Sequence, residues 1–392
     1  MLHCAAAFGM GLPSLNSFFN AGSAFAQDAA DPIKIGALYN VSGSLSSLDV
    51  PAQNGSLLAA RQINDAGGVL GRPIELIPYD GASNITTVTL GAKHLIEVEA
   101  VSLLLGLTDT SFVLAAGQIA QDAGVPFIDV GGTAPVITSI GNNVFMLPFG
   151  DNVQASAGAE YAASKGWKTC AVLYDEMNTY PSVLASYFKD RWQMSDLGGI
   201  VLAEASFHPD DPDVITHLAR IQAMAPDAAF LYAAAMPDRI GSIVEQARDI
   251  GVQQPILSGD GCDTPLLIES AGERSNGVIF TNHVGLLGGS DAGNLFSGQF
   301  EQEYGYPPVS AFASLGYDGV NLAVDAIRRA GTSVCGDIRA ALEVTQGFSG
   351  ITGQISYQPG NRVPNKSVAI VELVNEQQEL VETLLPANVV SP

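Results

Sequence analysis

The sequence predicts an α/β protein whose parallel sheets are covered by helices on both faces. Three observations carry that prediction. Apolar, β-rich runs alternate with amphipathic stretches along the chain, the pattern of successive strand–helix–strand units. The segment Ile63–Asp80, INDAGGVLGRPIELIPYD, reads as a helix end, a glycine stop, a tight turn and a strand. The 392 residues, 47% of them apolar, are enough for two domains of ordinary size with separate cores.

The first strand is the apolar run Ile33–Tyr39, followed by the polar loop NVSGSLSS and a helix from about Pro51. Gly67 and Gly68 supply the positive-φ freedom of a helix C-terminus. Gly71-Arg72-Pro73 then turns the chain into Ile74–Tyr79, with Asp80 at the strand's C-terminal end. Ligands of open α/β sheets bind beyond such ends. Further strands are expected at 101–105, 126–129, 169–174, 199–205, 228–232, 255–258 and 277–281. Helices are expected at 51–66, 86–98, 111–123, 151–165, 180–193, 213–224, 238–250, 293–304 and 312–330. VAIVELV at 368–374 reads as one more strand with a hairpin partner. The rhythm breaks near Phe145–Asp151, near Asn282–Asp291 and near Gly350–Gln354, where Pro and Gly cluster.

Charge excludes two classes of partner. Seventeen basic against 40 acidic residues give −23, the wrong sign for nucleic acid or an anionic membrane surface. No later run of about 18 apolar residues is present, so the mature chain is expected not to be membrane-embedded. Ala24-Phe25-Ala26 before Gln27 fits the small-x-small rule for an export signal over 1–26, atypical in lacking a basic start. The four cysteines, at 4, 170, 262 and 335, have no metal spacing; Cys170 in TCAVLY reads as a core thiol. His208–Asp213, HPDDPD, has metal-ligating residue types, but its prolines and solvated acids make it a surface loop.

An enzyme would need a catalytic constellation. GxGxxG does not follow the first strand, and GxSxG, a P-loop and HExxH are absent. The five histidines are scattered. No activity, cofactor or metal is expected.

Two loops offer recognition chemistry. Leu107–Ser111, LTDTS, opens a helix after the strand VSLLLG. It suits an N-cap, and equally an anion site where hydroxyls and helix N–H groups converge. Gly131–Pro135, GGTAP, is a Gly-rich turn after PFIDV. Asp260, between glycines after PILS, is either a turn former or a buried acceptor for a cation.

These residues, with INDAGGVLGRPIELIPYD, the stretch Leu103–Thr138, Ser242–Gly261 (SIVEQARDIGVQQPILSGDG) and Ala311–Gly331 (AFASLGYDGVNLAVDAIRRAG), make the chain resemble the periplasmic Leu/Ile/Val-binding protein family from about Ile33 to the C-terminus. The family captures small solutes for ABC importers. The resemblance implies the type I periplasmic binding fold: two Rossmann-like lobes with parallel sheets, joined by three crossover segments. Lobe 1 would be 33–148 plus 285–352, and lobe 2 would be 149–284 plus 353–392. Cys262 and Cys335 could pair in an oxidising compartment, but the resemblance places them in different lobes.

The resemblance also implies site residues. Thr110, Ser111 and Thr133 would hold a ligand carboxylate, and the Gly131 carbonyl would accept from its ammonium. Asp260 would receive that ammonium from lobe 2, and Tyr180 would close over the ligand. Leu48, Phe149, Tyr232 and Met236 would line the side-chain pocket; Leu48 and Met236 stand where family members often place aromatics. Asp109, Asp151 and Asp318 read first as N-caps. If two of them faced the cleft, a second cationic group on the ligand would fit, as in a polyamine or basic amino acid. The implied function is a periplasmic, monomeric binding protein that clamps a small amino acid, branched-chain or related, and docks on an ABC permease with its ATPase subunits. Amides, urea, polyamines or aromatic acids are the alternative ligands, and a ligand-sensing regulator is the alternative role.

Overall fold

The computed structural model describes residues 31–286 and 290–392; the cleavage signal and Cys4 lie outside them. The chain forms two lobes, each a sheet covered by helices. The first sheet is all parallel, in the order β2-β1-β3-β4-β5: Ile74–Asp80, Ile33–Tyr39, Leu103–Gly106, Phe127–Asp129 and Val144–Met146. Its helices are α1 (Ser46–Asp65), α2 (Ile85–Glu97), α3 (Thr110–Ala123), α9 (Asp291–Tyr304), α10 (Phe312–Ala330) and α11 (Cys335–Glu343). Pro78 sits in β2, an edge strand, where its missing N–H breaks no ladder.

The second sheet has seven strands in the order β14-β13-β10-β9-β8-β6-β7. Its parallel part is β6 (Thr169–Asp175), β7 (Ile200–Phe207), β8 (Phe230–Ala234), β9 (Ile256–Ser258) and β10 (Val278–Asn282). The hairpin β13 (Val368–Val374) and β14 (Gln377–Leu384) adds antiparallel at the β10 edge. Helices α4 (Asp151–Ser164), α5 (Thr179–Trp192), α6 (Ile215–Met224), α7 (Pro237–Asp249) and α8 (Pro265–Ala271) cover it.

The expected elements lie where the apolar pattern places them, with differences that have physical causes. Helix α1 begins at Ser46, so Pro51 stands inside it; the cost is one missing donor for the preceding turn. Strand β5 and the hairpin β11 (Phe348–Gly350) and β12 (Gly353–Ile355) have three residues per strand, too few for a periodic signal. Helix α8 has seven residues. Asp318, expected at a strand–helix junction, lies within α10, where it accepts from the Ile351 and Thr352 N–H groups.

Helices α1 and α10 touch backbone to backbone. A Cβ at Gly55 would lie 1.8 Å from the Ala313 carbonyl oxygen, and one at Gly316 would lie 1.8 Å from that of Ala52. Small residues thus set the spacing of the pair that buries β1. In the second lobe, Phe188 stacks on Tyr232 at 3.7 Å. Tyr232 is therefore a core residue, away from the cavity described below. Cys262 lies in the second lobe's core and Cys335 packs on the first, both as free thiols.

Three segments pass between the lobes: β5 to α4, β10 to α9, and β12 to β13. The last is held to the first lobe by Tyr357 (OH to Met146 O, 2.9 Å), Arg362 (Nε to Val144 O, 3.1 Å) and Lys366 (Nζ to Leu147 O, 3.2 Å). Ile355 and Tyr357 belong to the first lobe's core. The return to the second lobe thus comes later than the boundary at 352, because the buried Tyr357 ring anchors this segment against Phe145. Among the described residues, no helix is long and apolar enough to cross a membrane.

Candidate ligand-binding site

The C-terminal ends of strands from both sheets converge on one cavity. From the first lobe come Leu45 and Leu48, at and in the start of α1. The β3–α3 junction adds Thr108, Asp109 and Thr110, the loop after β4 adds Gly131 and Thr133, and α10 adds Phe312. The second lobe supplies Tyr180 from α5, Met236 and Pro237 at the start of α7, and Asp260 and Gly261 after β9. No Lys, Arg or His is among these lining residues.

Seven of the nine expected site residues line this cavity: Leu48, Thr110, Gly131, Thr133, Tyr180, Met236 and Asp260. Ser111 and Phe149 do not. Ser111 is the second residue of α3, and its N–H is taken by the Asp109 carboxylate at 2.9 Å. Phe149 is fully buried at the first crossing, where its ring stacks on His283 at 4.2 Å. Asp80 also stays outside, bracing the 41–42 loop by accepting from the Val41 N–H and the Ser42 hydroxyl.

In the loop that suits an anion site, the cap claims two of the helix-start donors. Asp109 accepts from the Ser111 and Phe112 N–H groups, which are the orphan donors of a helix start. Asp129, at the end of β4, does the same for the next loop: its Oδ1 accepts from the Gly131 and Gly132 N–H groups at 3.1 and 2.7 Å. The Thr108 hydroxyl donates to Asp49 Oδ2 at 2.7 Å.

In the second lobe, Gln154 is the hub. Its amide donates to Asp151 Oδ1 at 2.9 Å and to Asp260 Oδ1 at 2.8 Å, and its carbonyl accepts from the Asp260 N–H. His283 Nε2 meets Asp260 Oδ2 at 3.0 Å. The Tyr180 hydroxyl accepts from the Gly261 N–H at 2.8 Å and lies beside Asp260. Asp49 Oδ1 and Asp151 Oδ2 are buried without a well-formed hydrogen bond, and the Thr133 hydroxyl lies near the Asp151 carboxyl.

Burial dominates the electrostatics. It pushes the Asp49 carboxyl up to about 7 and that of Asp109 up to about 6, against their hydrogen bonds. It also raises Asp151 well above the usual carboxylate range, with the neighbouring Asp260 charge adding to the shift. Sequence reading missed Leu45, Phe312 and the partners Asp49, Gln154 and His283; Thr108 lay within the expected 107–111 loop. Asp49 carried a signal, as a polar residue next to predicted core; Gln154 and His283 carried none. Among the described residues, no cluster of His, Cys, Asp and Glu could hold a metal.

A family model described as periplasmic binding protein matches residues 32–378. This chain belongs to the periplasmic binding protein family. One relative is the leucine-, isoleucine-, valine-, threonine- and alanine-binding protein of Pseudomonas aeruginosa, 28% identical over 67% of this chain and 69% of its own. Among solved structures, the branched-chain amino acid transporter substrate-binding protein LivJ of Streptococcus pneumoniae, with isoleucine, superposes with a TM-score of 0.82. It is 27% identical and covers 92% of this chain and 100% of its own. An ABC-transporter solute-binding protein of Rhodopseudomonas palustris, with 3,4-dihydroxybenzoic acid, gives 0.79 at 23% identity over 92% and 98%. This periplasmic binding protein has the type I fold and is a substrate-binding protein of the ABC-transporter type; its homologues are solute binders and not enzymes. The neighbours' ligands differ in kind, so the family leaves the solute unspecified.

Proposed function

We propose that this chain captures a small amine-bearing solute between its lobes and delivers it to an ABC permease and its ATPase subunits. The observation that carries the reading is one cavity walled by strand-end residues of both lobes, with buried Asp260 on its second-lobe side. A solute that touches both walls only when the lobes are together stabilises the closed form. Asp260 receives the amine, the Gly131 carbonyl accepts from it, and Tyr180 closes over it. Leu48 and Met236 hold the alkyl part, and Thr110 and Thr133 flank the polar end. Relatives named for branched-chain amino acids make such amino acids the first solutes to test. The mature protein works in the periplasm as a monomer; the Ala24-Phe25-Ala26 motif and the family support the location.

The test is a thermal-shift screen of the chain from Gln27 against amino acids, amides, polyamines and aromatic acids. Small-angle scattering with each hit would follow. A ligand at 100 times its Kd adds about 2.7 kcal/mol of native stability. A hit that also compacts the protein supports the clamp. A tight ligand without compaction removes it.

A further inference from the structure

Two side chains of different origin hold the Asp260 carboxylate. Gln154 donates to Oδ1 at 2.8 Å. It rides on α4, and its carbonyl also accepts from the Thr281 hydroxyl on β10 at 2.7 Å, so this donor belongs wholly to the second lobe. His283 meets Oδ2 at 3.0 Å. It is the first residue after β10, where the chain leaves that lobe, and its backbone N–H is taken by the Asn282 side-chain carbonyl at 2.7 Å. The ring is buried, and Nδ1 has no hydrogen-bond partner among the described residues. A buried N–H without an acceptor is costly. The ring's proton therefore belongs on Nε2, where Asp260 accepts it.

The His283 ring is held on two further sides. One face lies on Phe149 at the first crossing, with ring centroids 4.2 Å apart and 24° between the planes. Phe312, at the start of α10, meets it in a T-shaped contact at 5.6 Å and 78°. Phe312 is fixed in the first lobe. It lines the cavity, and it packs so closely on Gly131 that a Cβ there would lie 2.7 Å from its Cε1. One imidazole thus touches the second-lobe acceptor, the first crossing and the first-lobe wall.

We propose that His283 is a positioning residue for solute capture: its Nε2–H holds the Asp260 carboxylate in place at the cavity wall, and its contacts with Phe149 and Phe312 make that hold depend on how the two lobes are set. A turn of one lobe against the other moves Phe312 relative to Asp260, and the ring between them then gives up one of its contacts. Asp260 is held by both donors only with the lobes together. This rests on the reading above that an amine meets Asp260 between the lobes. It adds which residue prepares Asp260 for that amine.

Two substitutions separate the donor from the ring. His283→Phe keeps an aromatic ring against Phe149 and removes the N–H. His283→Gln supplies an amide N–H and removes the ring. Titration calorimetry on the chain from Gln27 uses leucine and putrescine as probes, one amino acid and one diamine. His283→Phe should weaken the probe that the parent binds by about tenfold or more, and His283→Gln should recover part of that loss. Equal losses in both variants overturn the proposal, because the ring's packing then accounts for the effect. Parent affinity in both variants, with Asp260→Ala weakened, overturns it while keeping the capture of an amine. A parent that binds neither probe, or an Asp260→Ala variant that binds like the parent, removes the amine reading and this one with it. Nitrogen-15 NMR of the solute-free chain reads the tautomer directly, with His283 assigned by its loss in His283→Phe. The expected signal is one fixed tautomer protonated on Nε2, which Asp260→Ala releases into a mixture. A mixture in the parent, or a signal that Asp260→Ala leaves unmoved, overturns the proposal.

Discussion

Thr108, at the wall of the cavity, donates its hydroxyl proton to Asp49 Oδ2 across 2.7 Å, and both side chains are buried. The pair turns a hydroxyl that could have recognised an anion into a group that presents lone pairs. Replacing Asp49 by Asn removes one charge and returns Thr108 to a less committed state. Asp49→Asn should therefore weaken binding of the amine-bearing solute by about tenfold, the worth of roughly 1.4 kcal/mol. Calorimetric titration of the same solute against both forms checks this, and an unchanged affinity would remove Asp49 from the site.

Asp260 is the second-lobe acceptor. Truncating one partner of a buried, hydrogen-bonded charge pair costs about 2–5 kcal/mol. Asp260→Ala should weaken solute binding roughly 30-fold or more. Calorimetry that returns the parent affinity would reassign Asp260 to a turn role.

Stability should depend on pH in an unusual direction. Asp49 titrates near 7 and Asp109 near 6 in the folded chain, and Asp129 and Asp151 are raised as well, all chiefly by burial. In the unfolded chain such groups ionise near 4. Between about pH 4 and 7 the folded state thus holds more protons, and stability falls as pH rises. Asp80 and Asp196, both lowered, act oppositely but are largely solvated and weigh little. Thermal melts of the solute-free protein should give a higher midpoint at pH 5 than at pH 7.5. A midpoint that climbs across that range would contradict the four buried acids.

At the crossings, Lys366 donates to the Leu147 carbonyl at 3.2 Å and to the Thr352 hydroxyl at 2.6 Å, with the Asp318 charge beside it. Burial lowers Lys366 to about 8 although Asp318 opposes the shift. Lys366→Met leaves Asp318 buried without its counter-charge and should cost about 3–5 kcal/mol in urea unfolding. Adding Asp318→Asn should recover much of that loss. Additive losses in the double variant would show that the two are not coupled.

Gly316→Ala probes the α1–α10 contact. Its Cβ would lie 1.8 Å from the Ala52 carbonyl oxygen, so the helices must part. A loss of about 1–3 kcal/mol or more is expected, with the unfolding midpoint as the readout. An unchanged midpoint would mean that the helix pair yields freely.

The α/β class and most elements were legible in local pattern. The runs that became β1, β2 and β6 through β10 are apolar over several residues, and helices such as α10 carry one continuous buried face. Short pieces were not legible: a three-residue strand such as β5 owes its existence to β4 beside it. The site was legible as a set of loops after strands, and seven of nine expected residues meet at the cavity. Phe149 misled because an aromatic beside a crossing fits a pocket wall as well as it fits the stack on His283.

The sequence by itself determined the α/β class, the family and which loops come together, because these follow from periodicity and from the order of motifs along the chain. Only the tertiary structure decided what those loops can bind. Whether Thr108 offers a proton or a lone pair depends on Asp49, 59 residues away. Whether Asp260 and Asp151 share a donor depends on Gln154 being carried between them on α4. Hydrogen-bond capacity is a property of pairs in space, and residue type along the chain does not encode which partner claims it.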